Sequence, residues 1–135
     1  MRVAIYGGRH FNNVASVYEA LYTLVDQGLE DLLLTDEPGA GTLLVQCANS
    51  LRVPYRIITA QWLLHGSEAE RRRQGEIVSC EPDMVVLLPC DESEAGQMRL
   101  LCQNNDIPVW NLTDLPFALL GSARQLGAAD VETPF

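Results

Sequence analysis

The stretch Arg2-Val3-Ala4-Ile5-Tyr6-Gly7-Gly8-Arg9-His10-Phe11 decides how the rest of the chain reads. A short apolar run stopped by two glycines predicts a buried strand that breaks into a tight turn. Immediately downstream, Val14 to Gln27 places Val14, Val17, Tyr18, Leu21, Leu24 and Val25 at helical spacing, and Gly28 stands where a helix C-cap is expected. A buried strand, a glycine turn and an amphipathic helix, in that order, form the first half of a βαβ unit.

The alternation then repeats. Asp31 to Thr35 reads as a buried strand through Leu32, Leu33 and Leu34, and Thr42 to Leu51 resumes helical spacing. Pro54 separates that helix from a strand at Tyr55 to Thr59. From Ala60 to Ser79 the chain passes Trp62, Leu63 and Leu64, crosses Gly66 and becomes rich in Arg and Glu, a helical segment with a weak apolar face. Asp83 to Leu88 is the clearest buried strand, set between Pro82 and Pro89. A helix from about Glu94 to Asn104 and a strand at Ile107 to Asn111 follow. Repeated strand-helix units predict an α/β sandwich of three layers around a mostly parallel sheet of about five strands. The expected domain spans residues 1–112. Residues 113–135 are expected to add a short helix, capped by Asp114 with Pro116 in its first turn, and a tail from Gly127.

A chain of 135 residues suits a single domain, and 47% hydrophobic with 20% charged residues is the composition of a packed protein. Nine Arg and no Lys against 18 acidic residues give a net charge of −9, which opposes nucleic-acid backbones and anionic membranes. No run reaches the ~20 apolar residues of a membrane helix. Met1 to Tyr6 reads as a strand and not as a secretory signal, so a cytoplasmic location is expected. Cys47, Cys80, Cys90 and Cys102 are widely spaced without a CxxC pair, which favours reduced structural thiols over a zinc site.

In a parallel sheet, ligands bind beyond the carboxyl ends of the strands, which directs attention to Gly7–Asn12, Asp36–Gly41, Thr59–Gly66 and Pro89–Gly96. Gly7-Gly8-Arg9 followed by an aromatic, Gly39-Ala40-Gly41, Trp62 with Gly66, Arg73-Gln74, Pro82-Asp83, Pro89 and Ile107-Pro108-Val109 stand in one order and spacing. In these residues, over roughly residues 2 to 111, the sequence resembles the YspA-like branch of the SLOG superfamily. It implies a Rossmann-like domain sensing nucleotide-derived ligands, with a related branch that hydrolyses nucleotide N-glycosidic bonds. By the same resemblance Gly7, Gly8, Arg9, Gly39, Gly41 and Arg73 are the expected ligand-binding residues. The glycines would let backbone amides approach a phosphate at a helix N-terminus.

The departures from that pattern are acidic. Asp36-Glu37-Pro38 replaces a His-Gly-Gly run, Leu43 stands at the family's Asp, and Pro89-Cys90-Asp91-Glu92-Ser93-Glu94 replaces Pro-Gly-Gly-x-Gly-Thr. Gln97, or Gly96 after a one-residue shift, falls where the hydrolase branch has its catalytic Glu, so no catalytic residue is assigned. Each like-charge contact at about 4 Å costs roughly 1 to 4 kcal/mol, so Asp36, Glu37, Asp91, Glu92 and Glu94 are expected to repel a phosphate unless a cation such as Mg²⁺ or Ca²⁺ intervenes. Helix capping is the plainer role for these carboxylates.

The first expectation is therefore a non-catalytic module acting through a protein partner or a second copy of itself, with Leu115, Phe117, Leu119 and Leu120 as interface candidates. The alternative is a sensor for a nucleotide-derived or nucleoside-type molecule, with a divalent cation bridging the acidic loops. An N-glycosidase ranks third. Arg71 and Arg72 read as a solvated face balancing Glu68, Glu70 and Glu76 through pairs such as Glu68 with Arg72. Trp62 and Trp110 read as core or rim packing, and His10 and His65 as polar surface.

Overall fold

Five strands, Arg2–Tyr6 (β1), Asp31–Thr35 (β2), Tyr55–Ile58 (β3), Met84–Leu87 (β4) and Val109–Asn111 (β5), form one sheet in the order β3-β2-β1-β4-β5. Every neighbouring pair is parallel. These are the strands expected from the apolar runs, trimmed by one or two residues at some ends. The structure, a computed structural model, describes residues 1–114; the helix and tail expected from Asp114 to Phe135 lie outside the described residues beyond a 3₁₀ turn at Leu112–Asp114.

Side-chain alternation splits the strands between two cores. Val3, Ile5, Leu32, Leu34, Met84 and Val86 face one side, where Val17, Leu21 and Leu24 of Val14–Asp26 (α1) and Leu44, Cys47 and Ala48 of Ala40–Leu51 (α2) cover them. Ala4, Tyr6, Leu33, Ile58, Val85 and Leu87 face the other, under Ile77 and Val78 of Ala69–Ser79 (α4) and Met98 and Cys102 of Glu92–Asn104 (α5). The molecule is thus a Rossmann-like three-layer α/β/α sandwich, as the repeated units predict. α1 starts at Asn13, whose side chain accepts the Ser16 amide at 3.0 Å.

Residues 60–79 depart most from the sequence reading. They form one helical turn at Trp62–His65 (α3), a 3₁₀ turn at Gly66–Glu68 and then α4. α3 buries none of its residues: Leu63 is fully exposed, Leu64 is 70% exposed and Trp62 51%. Trp62 is therefore not core but half-exposed at the rim, whereas Trp110 packs against the first core. The pairing expected between Glu68 and Arg72 is not among the ion pairs of the described residues, because Glu68 ends the 3₁₀ turn before α4 begins. Cys47, Cys80, Cys90 and Cys102 are all free, and burial pushes the thiols of Cys47 and Cys102 up, the latter to about 11.

Candidate functional site

The chain steps outward from β1 to β2 and β3, then returns to lay β4 on the other side of β1, so the topological switch point lies between β1 and β4. A cleft of about 440 Å³ opens there, lined by Arg9, His10, Phe11, Glu37, Cys90 and Glu94 among others. The loops after β1, β2 and β4 therefore converge there, whereas the Thr59–Gly66 loop lines no part of this cleft, and the sequence-assigned residues divide around it in a definite way.

The glycines hold the loops to one another. Gly8 has φ +87°, and a Cβ there would meet Ala40 Cβ at 2.7 Å and Leu88 Cδ1 at 2.8 Å. Gly39, at φ +76°, backs onto the Arg9 and Gly8 carbonyls. Only glycine fits such contacts at such angles. Gly7 lies against the Leu88 carbonyl and Cys90, and Gly41 against the Thr35 carbonyl. The Gly8 amide donates to Pro89 O at 3.1 Å, while its carbonyl accepts the Phe11 amide at 2.9 Å and the Ala40 amide at 3.1 Å. An amide at the N-terminus of α2 is thus committed to the β1 loop.

Arg73 lies under the cleft, 2% exposed. Its guanidinium donates to Asp36 Oδ1 at 2.8 Å, to Glu37 Oε1 at 2.6 Å and to Glu70 Oε1 at 2.5 Å, and stacks 5.9 Å from the Tyr6 ring centroid. The Tyr6 hydroxyl donates to Glu70, and Gln74 Nε2 donates to the Tyr6 oxygen at 3.0 Å and to the Glu94 carbonyl at 3.3 Å. Among the described residues no buried side-chain nitrogen or oxygen lacks a partner. Burial works against the Arg73 charge, yet Glu70 and Glu37 outweigh it and raise its pKa, while burial and the Glu70 bond raise that of the Tyr6 phenol.

The acidic residues accordingly take separate roles. Asp36 and Glu37 turn to Arg73, and Glu37 also accepts from Arg9 Nε at 3.3 Å. Asp91 caps α5 by accepting the Ser93 amide at 2.7 Å. Glu92 is exposed in the first turn and lines a second cleft of about 300 Å³ near Arg99 and Asn111. Glu94 faces the switch-point cleft, where burial first and then Glu70 and Glu37 push its carboxyl up. The Cys90 thiol is likewise pushed up, by burial and by Glu94 and Glu37. Among the described residues no three His, Cys, Asp or Glu side chains gather in a metal-holding group. Arg9 remains half-exposed at the mouth.

Sequence reasoning missed Glu70, which it assigned to the solvated face, and the role of Tyr6. The spacing of Glu70, Arg73 and Gln74 with Ile77 and Val78 carries the signal, since those five share one face of α4. Among the described residues no helix is long and apolar enough to cross a membrane. The chain matches no family model and no curated protein.

Proposed function

We propose that the chain is a diverged SLOG-like domain that works as a non-catalytic protein-interaction or regulatory module. The saturation of Arg73 carries this reading. The resemblance assigns that side chain to an anionic ligand, but its guanidinium donors already serve Asp36, Glu37 and Glu70. A phosphate would have to compete with carboxylates already in place, in a pocket whose free edge bears Glu94 and Asp91. The N-terminus of α5 is likewise occupied by the Asp91 side chain and bears Glu92 and Glu94 in its first turn.

A thermal-shift screen against mononucleotides, dinucleotides, nucleosides and ADP-ribose-like compounds, with and without Mg²⁺ or Ca²⁺, tests it. Silence across the panel is the expected outcome, together with no base release from nucleoside monophosphates. A ligand at a hundredfold excess over Kd raises stability by about 2.7 kcal/mol, so a nucleotide that binds would be visible and would overturn the reading.

A second reading, a sensor for an uncharged nucleoside-type molecule, draws on the open cleft and on Arg9 at its mouth. Carboxylates such as Glu94 suit hydroxyl donors better than phosphate oxygens. A nucleoside-specific shift that Arg9→Ala abolishes would favour the sensor over the interaction module.

A further inference from the structure

None of the apolar residues of α3 is buried by the described chain. Successive side chains on a helix are about 100° apart, so a single turn carrying Trp62, Leu63 and Leu64 cannot bury all three against one neighbour. Here it buries none of them. α3 abuts α4 and follows β3, the edge strand of the sheet, whose Ile57 is also exposed. Among the described residues, these four make up half of the exposed large apolar side chains, and exposed apolar patches on soluble domains mark contact sites.

The charges around this surface are distributed unlike those of the rest of the chain. Arg52 precedes β3, Arg56 lies on it, and Arg71 and Arg72 lie on the solvent side of α4, all four exposed. Arg56 pairs with Glu76 at 3.5 Å, whereas Arg52, Arg71 and Arg72 make no ion pair among the described residues. Arg71 and Arg72, on the helix that α3 abuts, are thus exposed beside the Trp-Leu-Leu turn with Glu68 as the one acid of the intervening 3₁₀ turn, whereas Arg52 lies at the other end of β3, in a chain whose net charge is −9.

We infer that the β3 and α3 edge docks an acidic amphipathic segment of a partner protein, its apolar side chains on Trp62, Leu63 and Leu64 and its carboxylates toward Arg71 and Arg72. This names the partner chemistry of the interaction module and rests on that reading. Charge complementarity selects this occupant. A symmetric contact with a second copy would set Arg71 and Arg72 of each chain facing the same positive edge. An anionic membrane or nucleic acid would be repelled by the rest of a chain this acidic. An acidic peptide is small enough to meet only the local positive field, and Trp and Arg are the residue types that most often carry binding energy.

The probes are two synthetic peptides with Leu at i, i+3, i+4 and i+7 and either Glu or Lys at the intervening positions, followed by fluorescence anisotropy with the intact chain. The Glu peptide is expected to bind and the Lys peptide not. Leu63→Ser with Leu64→Ser is expected to weaken binding about tenfold or more, as is Arg71→Glu with Arg72→Glu, and added salt is expected to lower the affinity. All four positions are solvent-exposed, so circular dichroism should report an unchanged fold in both variants. Failure of the Glu peptide to bind, equal binding of both peptides, or binding indifferent to the Leu63 and Leu64 changes overturns the inference. So does sedimentation of the chain with anionic vesicles, or as a dimer, that the same two changes abolish. A failed peptide titration beside a silent nucleotide panel discards this surface alone, whereas nucleotide binding discards the interaction module itself.

Discussion

Glu70, Arg73 and Gln74 are polar and buried; Trp62, Leu63 and Leu64, a few residues earlier, are apolar and exposed. The two regions break the usual partition of side chains in opposite directions. In the first the departure is answered within the chain, since each buried charge meets a partner from another loop or strand. In the second the described chain supplies no answer. Buried polar groups with every partner present act as structure, while exposed apolar groups with none act as surface waiting for contact. Arg73, which the resemblance would give to a ligand, is thus held by carboxylates of its own chain, and Trp62, Leu63 and Leu64 stand outside the two cores.

The largest effect should come from opening the buried cluster. Arg73→Met keeps the volume but strands Glu37 and Glu70 beneath the loops, and breaking a buried charge network in this way costs about 3 to 5 kcal/mol. Urea denaturation should show that loss, and adding Glu70→Gln should recover part of it by removing one stranded carboxylate. If Arg73→Met unfolds no more easily than the parent, the cluster is not structural, and Arg73 returns to the list of ligand residues.

The same contrast explains what the sequence made legible. The strands could be read because Leu32 to Leu34 and Val85 to Leu88 are buried on both faces, and a continuous apolar run has few other uses. The order of glycine turns placed the loops after β1, β2 and β4 around the switch point but not the Thr59–Gly66 loop, which lines no part of that cleft. Residues 60–79 could not be read by the same rule, since it takes apolar residues as inside and polar ones as outside. There, Arg73 finds Glu37 across 36 positions and Asp36 across 37, distances at which no local pattern records a pairing. The acidic loop was visible as Asp36-Glu37, but whether its carboxylates faced a ligand or an internal arginine depended on the far side of the fold.

Glu94 sits at the margin of the buried cluster and sharpens the comparison through pH. Its carboxyl is pushed up by partial burial, then by Glu70 and Glu37. The folded state thus holds the Glu94 proton more tightly than the unfolded chain does. The resulting stabilisation is present below the ordinary Glu range and is lost as pH rises through the folded value. Glu94→Gln should therefore stabilise the protein at neutral pH, and the gain should close as pH falls toward about 4. Solvent reaches the side chain, so the gain should stay under about 1 kcal/mol. A gain that instead grew in acid would mean that Glu94 is held by a cation in the folded protein.

The smallest effect is expected where the exposure is greatest. Leu63→Ser with Leu64→Ser replaces one side chain wholly in water and one mostly so, so it removes little burial on folding and should shift stability by no more than about 0.5 kcal/mol. Thermal melts of the two proteins should nearly superimpose, in contrast to the collapse expected of Arg73→Met. A loss above about 1.5 kcal/mol would mean that both leucines are covered in solution, and the described surface would then be closed by the chain itself or by a second copy. Near-identity of the melts, with peptide affinity lost, would separate the two regions by experiment: one holds the domain together and the other meets its partner.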